Sequence, residues 1–355
     1  LTKSFFKYSD LTTFEGLSKI TRDKKLIAVL SGQWGDFGLP PKQSSFLMHC
    51  AIAGHYFDGA NYPVGGSRSI PESIAPQILN NGGDIFMMAP VDKVLIKNDK
   101  CCGVVMENGD QIMSKSVISS TGVNNSLKYL LKDYKHHSDY SNNLRKIKPS
   151  SGHACLYVGF EQTAQELNIK DTNLWIYPSY DHDLNTSNYL RDENSEFPLV
   201  YISFASAKDP TWEDNHGNTA TLEAIVPTNF NNYTQWQDKP WKKRGSDYNQ
   251  FKQEFSNRII EKIYKHVPQL KDKISFSELS TPLSTKSMSF YDNGELYGID
   301  HTPQRFRQKW IKVKTPLRYF YMTGQDITTV GIPSALASGA LTASVVLKKN
   351  LFKTI

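Results

Sequence analysis

Near its end the chain runs from a short apolar stretch, Tyr319–Met322, through Thr323–Gly324–Gln325–Asp326 into Gly331–Ile332–Pro333. A helix follows, built from Ala335, Ala337, Ser338, Gly339, Ala340, Ala343 and Ser344, and Lys348–Lys349 closes it. Few folds accommodate such a unit. Small side chains let the helix backbone lie close against a sheet or a cofactor, and the terminal lysines suit the negative end of its dipole. Pro333 is tolerated in the first turn, where its missing N–H has no helical partner. The strand must find a sheet elsewhere in the chain, and residues 84–120 are the candidate. An acid at a strand end can accept hydrogen bonds from sugar-like hydroxyls, and a helix N-terminus can stabilise negative charge. The plainer alternative, an Asp capping its own turn, fits the same pattern.

The region from Tyr62 to Gly122 supplies that sheet. Ile70, Ile74 and Ile78 recur every four residues, which predicts a helix with Pro71 in its first turn. Asn81–Gly82–Gly83 ends it. Extended segments are expected at Asp84–Ala89, Val91–Lys97 and Cys102–Glu107, with Asn98–Asp99 as a turn. Asn108–Gly109 predicts a type I′ hairpin before Gln111–Met113, and Val117–Ser120 follows. Val91 could lie against an adenine, although aliphatic strand residues are commonly core.

Further on, Ala154–Phe160, Leu174–Pro178, Leu199–Ala205 and Thr221–Val226 alternate with polar loops, which predicts an antiparallel sheet. Phe251, Phe255, Ile259, Ile263 and Val267 then mark an amphipathic helix stopped at Pro268. Aromatic residues make up 12% of the 355 residues, enough for a large core or a ligand channel. The aromatic segments Leu174–Phe204 and Phe14–Tyr62 suit either. A net charge of +6 is mild, and Lys242–Lys243–Arg244 and Arg305–Lys314 read as solvated faces rather than nucleic-acid contacts. Four cysteines without a CxxC read as free thiols. The nine histidines, His136–His137 among them, show no metal-ligand spacing, and there is no GxSxG elbow or P-loop. No apolar run is long enough to span a bilayer. The chain opens on Leu1, so it is expected to start within a longer protein.

Tyr62–Pro63–Val64–Gly65–Gly66–Ser67, the helix after it, Gly82–Gly83 and Gly103–Val104 resemble the phytoene desaturase and carotenoid isomerase group of flavoproteins. Longer runs resemble that group's retinoid-reducing branch: Ser206–Ala207–Lys208–Asp209–Pro210–Thr211–Trp212–Glu213–Asp214 and Lys243–Arg244–Gly245–Ser246–Asp247–Tyr248. Tyr297–Gly298–Ile299–Asp300–His301, Leu317–Tyr321, Thr323–Ile327, Gly331 and Leu347–Leu351 complete the set. The resemblance implies an α/β (α+β) fold, with an incomplete FAD/NAD(P)-binding domain of glutathione reductase type and an inserted antiparallel-sheet substrate domain. The boundaries it implies are a cap segment at 1–60, the middle of the FAD-binding domain at 61–150, a substrate domain at 151–300 and the closing strand and helix at 301–355. It implies FAD, with NAD or NADP beside it, and reduction of a C=C bond in a retinoid or other polyene. Desaturation or isomerisation of a carotenoid, or a truncated chain without activity, are the alternatives. It also implies peripheral attachment to the endoplasmic-reticulum membrane. By position, Val91 would lie on the adenine side, Asp326 would hold the ribityl or pyrophosphate, and Gly331 and Ile332 would face the flavin. The group's GxGxxG turn is missing from this sequence, so weak FAD binding and an unfilled sheet edge are expected.

Overall fold

A computed structural model describes residues 7–134 and 142–353, so His136–His137 lie outside the described residues. Helix α1 (Ser69–Leu79) forms where the isoleucine spacing predicts it, yet none of its residues is buried. The segment after it departs from expectation. Residues 84–89 are not a strand, and Met88 is 97% exposed. A strand needs a partner for its backbone groups, and no strand among the described residues runs beside this one.

Strands β1 (Val91–Lys97), β2 (Lys100–Met106) and β3 (Gln111–Met113) form an antiparallel sheet in that order. The tight two-residue hairpin is at Asn98–Asp99, both with positive φ (51° and 56°), closing the Lys97–Lys100 pair. This is the type I′ geometry expected at Asn108–Gly109, where only Gly109 has positive φ. There the amide of Met106 donates to Asp110 O and that of Gly109 to Met106 O, a longer bulged turn. An Asn side chain tolerates the left-handed region well enough that Asn–Asp closes the tighter loop.

Strand β4 (Val117–Ser119) leads out of this region. Five further strands, β5 (Gly152–Phe160), β6 (Leu174–Ile176), β7 (Val200–Ser203), β8 (Ala220–Thr228) and β9 (Phe276–Ser280), build an antiparallel sheet. Its order is β6-β7-β8-β5-β9. Along β8 burial alternates at every residue, so Leu222, Ala224 and Val226 enter the core while Glu223 and Ile225 face the other way. Helix α2 (Ser246–His266) covers the inner face with Phe255, Ile259 and Ile263. Burying each such side chain contributes about 1.5–3 kcal/mol.

The closing strand β10 (Phe320–Met322) pairs in parallel with β4, Tyr321 opposite Ile118, and runs into helix α3 (Ile332–Leu347). The Cys101 amide also donates to Arg318 O, so the end of the chain is tied to β2 as well. The stretch before β10 thus joins the region 84–120. Two residues read as solvated charge prove buried: Arg244, which donates to Leu283 O and Ser287 Oγ, and Arg305. A guanidinium with several aligned acceptors can be buried where an unpaired one cannot.

Candidate functional site

The outer face of the five-stranded sheet carries the first half of the site. The strand registers align Trp175, Tyr201, Ile225 and Cys155 in one row across β6, β7, β8 and β5. The Trp175 and Tyr201 rings lie with centroids 4.7 Å apart. They form one wall of a cavity of about 120 Å³ that Asp36, His153, Ile225 and Tyr297 also line. Two segments read as channel walls or core, Phe14–Tyr62 and Leu174–Phe204, therefore meet here.

Asp36 ends a short 3₁₀ turn, Trp34–Asp36, anchored by the buried Trp34 indole. Glycines flank it because rings pack on the backbone. A Cβ on Gly35 would come within 2.8 Å of Trp175, and one on Gly38 within 2.9 Å of Tyr297. The Tyr297 hydroxyl donates to Gly35 O at 2.9 Å, and the Tyr177 hydroxyl donates to Gly32 O. Tyr56 donates to Asp36 Oδ2 at 3.2 Å. Burial pushes the Asp36 carboxyl up to about 6, against the lowering influence of the Tyr56 hydrogen bond and of His55. Burial moves its neighbours the other way where they are basic: His153 falls to about 4, and its Nδ1 has no hydrogen-bond partner. The Cys155 thiol is pushed up to about 12, chiefly by burial, with Glu223 adding to it.

The second half is the loop that feeds α3. Arg305 is its hub: Nη1 donates to Ile299 O and Nη2 to the carbonyls of Gln325, Asp326 and Thr328. His301 Nε2 stands 2.8 Å from Arg305 Nη1 and accepts from the Val330 amide at 3.1 Å. Two donors on one nitrogen require the neutral ring with its proton on Nδ1. Burial, and then the Arg305 charge, hold the His301 pKa well below its usual value. Together they fix the path of the backbone into Gly331.

Of the residues singled out from the sequence, Asp326, Gly331 and Ile332 share this loop and helix. Gly331 caps α3 with φ +100°, a conformation that favours glycine, and Ile332 is 54% exposed. Val91 begins β1 opposite Met106, in the other sheet, and is 38% exposed. Asp326 is placed differently from what a ribityl or pyrophosphate ligand requires. Only 3% exposed, it accepts from the Val123 amide (2.7 Å) on one oxygen and from the Ile299 amide (2.9 Å) on the other. The carboxylate clamps two chain segments together; it does not face outward. Long-range backbone capping of this kind leaves no periodic trace in a sequence.

Asp36, His301 and Arg305 were not selected as site residues by sequence reasoning. The usable signal for Asp36 was Trp34–Gly35–Asp36–Phe37–Gly38, an acid between two glycines in an aromatic segment. For Arg305 there was none. Among the described residues no group of three or more His, Cys, Asp or Glu side chains could hold a metal ion.

The two halves adjoin. Val330, the residue before Gly331, is buried in the same apolar cluster as Trp34, Phe37 and Leu199, against which Trp175, Tyr201 and Tyr297 pack.

No family model matches the chain. It is 32% identical over 360 residues to all-trans-retinol 13,14-reductase of Danio rerio, covering 98% of this chain and 59% of that protein. A second Danio rerio protein, named as an inactive all-trans-retinol 13,14-reductase, is 30% identical, covering 97% of this chain and 58% of its own length. Phytoene desaturase (neurosporene-forming) of Rhodobacter capsulatus is 22% identical, covering 81% of this chain and 54% of its own length. The chain thus spans about three fifths of the length of the retinol reductases it matches. In structure it is similar to an oxidoreductase from Methanosarcina mazei, with a TM-score of 0.63 at 15% identity over 96% of this chain and 68% of that one. That likeness shows the fold.

Proposed function

The chain is a relative of the all-trans-retinol 13,14-reductases, matched over nearly its whole length, and on that premise we propose that it acts within an FAD-dependent oxidoreductase. Its reaction is reduction of a C=C bond in a retinoid or related polyene. The observation that carries this reading is the junction at Val330. One apolar cluster joins an aromatic-walled cavity to the segment that opens α3.

The residues of that segment fit a flavin. A Cβ built on Gly331 would meet only Pro333 within 4 Å, and one on Gly339 nothing. Both glycines therefore leave open space beside the helix, one at its N-terminus and one near its middle. Gly331 and Ile332 would stand at the ring edge that becomes negative on reduction, where a helix N-terminus is favourable. Val91 would stand on the adenine side. Asp326 does not fit as a direct ligand; it would hold the backbone beneath. The flavin would supply hydride, and the protein would orient a long apolar substrate and keep water away.

Peripheral attachment to the endoplasmic-reticulum membrane belongs to the same proposal, supported by the family likeness and compatible with a charge of +6. Flotation with liposomes of anionic lipid tests it, and protein left wholly in the dense fraction would count against it. NAD or NADP as the source of electrons is likewise proposed on the family likeness.

The test of function is direct. A protein that carries this chain together with the group's GxGxxG turn, loaded with FAD and freed of unbound cofactor, should remain yellow, and after chemical reduction should convert all-trans-retinol into a product with two more hydrogens. Such a protein that retains no FAD after gel filtration, or that holds FAD without consuming any polyene, overturns the reading.

A further inference from the structure

The cavity between Asp36 and the aromatic row has a chemistry of its own. Asp36 is the one acid among its lining residues, and His153 is the one base. The tyrosines that face Asp36 are poor proton donors near neutral pH, and His55 is the other titratable group whose charge reaches the carboxyl. Burial drives the tyrosines at 56, 177 and 297 upward, and Tyr201 is raised for the same reason. His153 is driven downward, so it is neutral and holds no extra proton to give. Trp175 and Tyr201 line the same cavity with their rings tilted 58° to one another, giving an aromatic wall against which an apolar conjugated chain can pack. The space of about 120 Å³ admits one stretch of such a chain.

We propose that Asp36 is the general acid of polyene reduction, giving its proton to the carbon next to the one that receives hydride. The inference rests on the function proposed above. Its step balances as follows. The alkene carbon that accepts hydride from the reduced flavin passes the π electron pair to its neighbour. That neighbour forms a C–H bond with the Asp36 proton as the carboxyl O–H bond breaks. The carboxylate left behind accepts from Tyr56 at Oδ2 and regains a proton from solvent before the next turnover. An apolar substrate lying over the cavity displaces water and raises the carboxyl further, which keeps it protonated when it is needed.

The protonated acid is the active form, so reduction should slow as pH rises through the Asp36 pKa, near 6 in the free protein. The experiment pairs two readouts on wild type, Asp36→Asn, Asp36→Glu and Tyr56→Phe. In the first, the reduced flavoprotein is mixed with all-trans-retinol, and single-turnover reduction and retinol affinity are followed against pH. Asp36→Asn should lose about 10²–10⁴-fold in rate. Its affinity for retinol should change less than about threefold, a small fraction of that loss. Asp36→Glu should recover part of the rate. Tyr56→Phe removes a hydrogen bond to the carboxylate and should move the profile to higher pH. In the second, tryptophan fluorescence of the flavin-free chain is titrated. The wild type should show a step near pH 6 that Asp36→Asn lacks, because Trp175 lines the same cavity.

Asp36→Asn reducing retinol within about threefold of wild type would overturn the inference, since a general acid contributes far more. If affinity falls as far as the rate, Asp36 positions substrate and the inference also fails. If the wild type leaves retinol unchanged, it is the functional reading that fails. The titration then still decides the acid, because a wild type without an Asp36-dependent step has no carboxyl poised to donate.

Discussion

Replacing Asp326 by Ala separates a clamp from a cofactor ligand. The carboxylate accepts two short hydrogen bonds from buried or nearly buried amides, Val123 at 2.7 Å and Ile299 at 2.9 Å. A hydrogen bond to a charged group contributes about 1.5–3 kcal/mol, and an amide left without a partner costs about 1–3 kcal/mol. The two bonds together make a loss on the order of 3–5 kcal/mol the expected outcome for Ala. Asp326→Asn keeps one acceptor oxygen but turns an NH₂ toward the other amide, so about half that loss is expected. Urea unfolding of the flavin-free chain, followed by circular dichroism, measures both. The midpoint should fall in the order wild type, Asn, Ala, with the slope unchanged. Flavin occupancy should fall only in proportion to the folded fraction. An Ala variant as stable as wild type that has nonetheless lost FAD would refute the clamp and restore Asp326 as a direct ligand.

Two further outcomes follow from the same loop. Gly298 has φ +63°, and a Cβ there would lie 2.1 Å from Asp326 Oδ1. Gly298→Ala should therefore cost about 3 kcal/mol or more, adding strain to a broken clamp, and a thermal unfolding midpoint within 1 °C or so of wild type would contradict this. Asp300 is raised to about 7, by burial against the lowering pull of Lys148 and Arg305. A carboxyl whose folded pKa lies above its unfolded value binds extra protons in the native state. Its contribution is complete at low pH and is lost as pH climbs from about 4 to about 7. Asp300→Asn should remove that slope and melt a few degrees above wild type at about pH 8, and a melting difference that is the same at pH 5 and 8 would defeat the assignment.

The sequence disclosed what is periodic and hid what is long-range. The four-residue repeat from Phe251 to Val267 appears as α2, with Phe255, Ile259 and Ile263 buried on the sheet. Strands β5 and β8 were readable as short apolar runs between polar loops, and their side-chain directions then follow from the backbone repeat. Strand β9 was missed because Phe276–Ser280 is short and mostly exposed, without the alternation that marks a strand. Residues 84–89 failed in the opposite sense: apolar character suggested a strand, but a strand exists only where another chain segment takes its hydrogen bonds. At the site, Gly331 and Ile332 could be found because a glycine-led helix is a local pattern. The use of Asp326 and Arg305 could not, because their partners lie tens to hundreds of positions away, as Val123 does from Asp326.

The same two-residue period that makes the core also makes the candidate site. In β8 the even-numbered side chains Leu222, Ala224 and Val226 turn toward α2, and Ile225 turns toward Trp175, Tyr201 and Asp36. A slip of one residue in the β7–β8 pairing would send Ile225 into the core and Ala224 or Val226 into the cavity. The densely packed inner face forbids that slip, because three fully buried side chains would have to leave it. Stability of the core is thus what holds the aromatic wall in register. Core substitutions that loosen α2, such as Ile259→Ala, reach the cavity only indirectly, through the packing that holds this register. Substitutions at Gly35 act on it directly, because that glycine lies beneath the Trp175 ring.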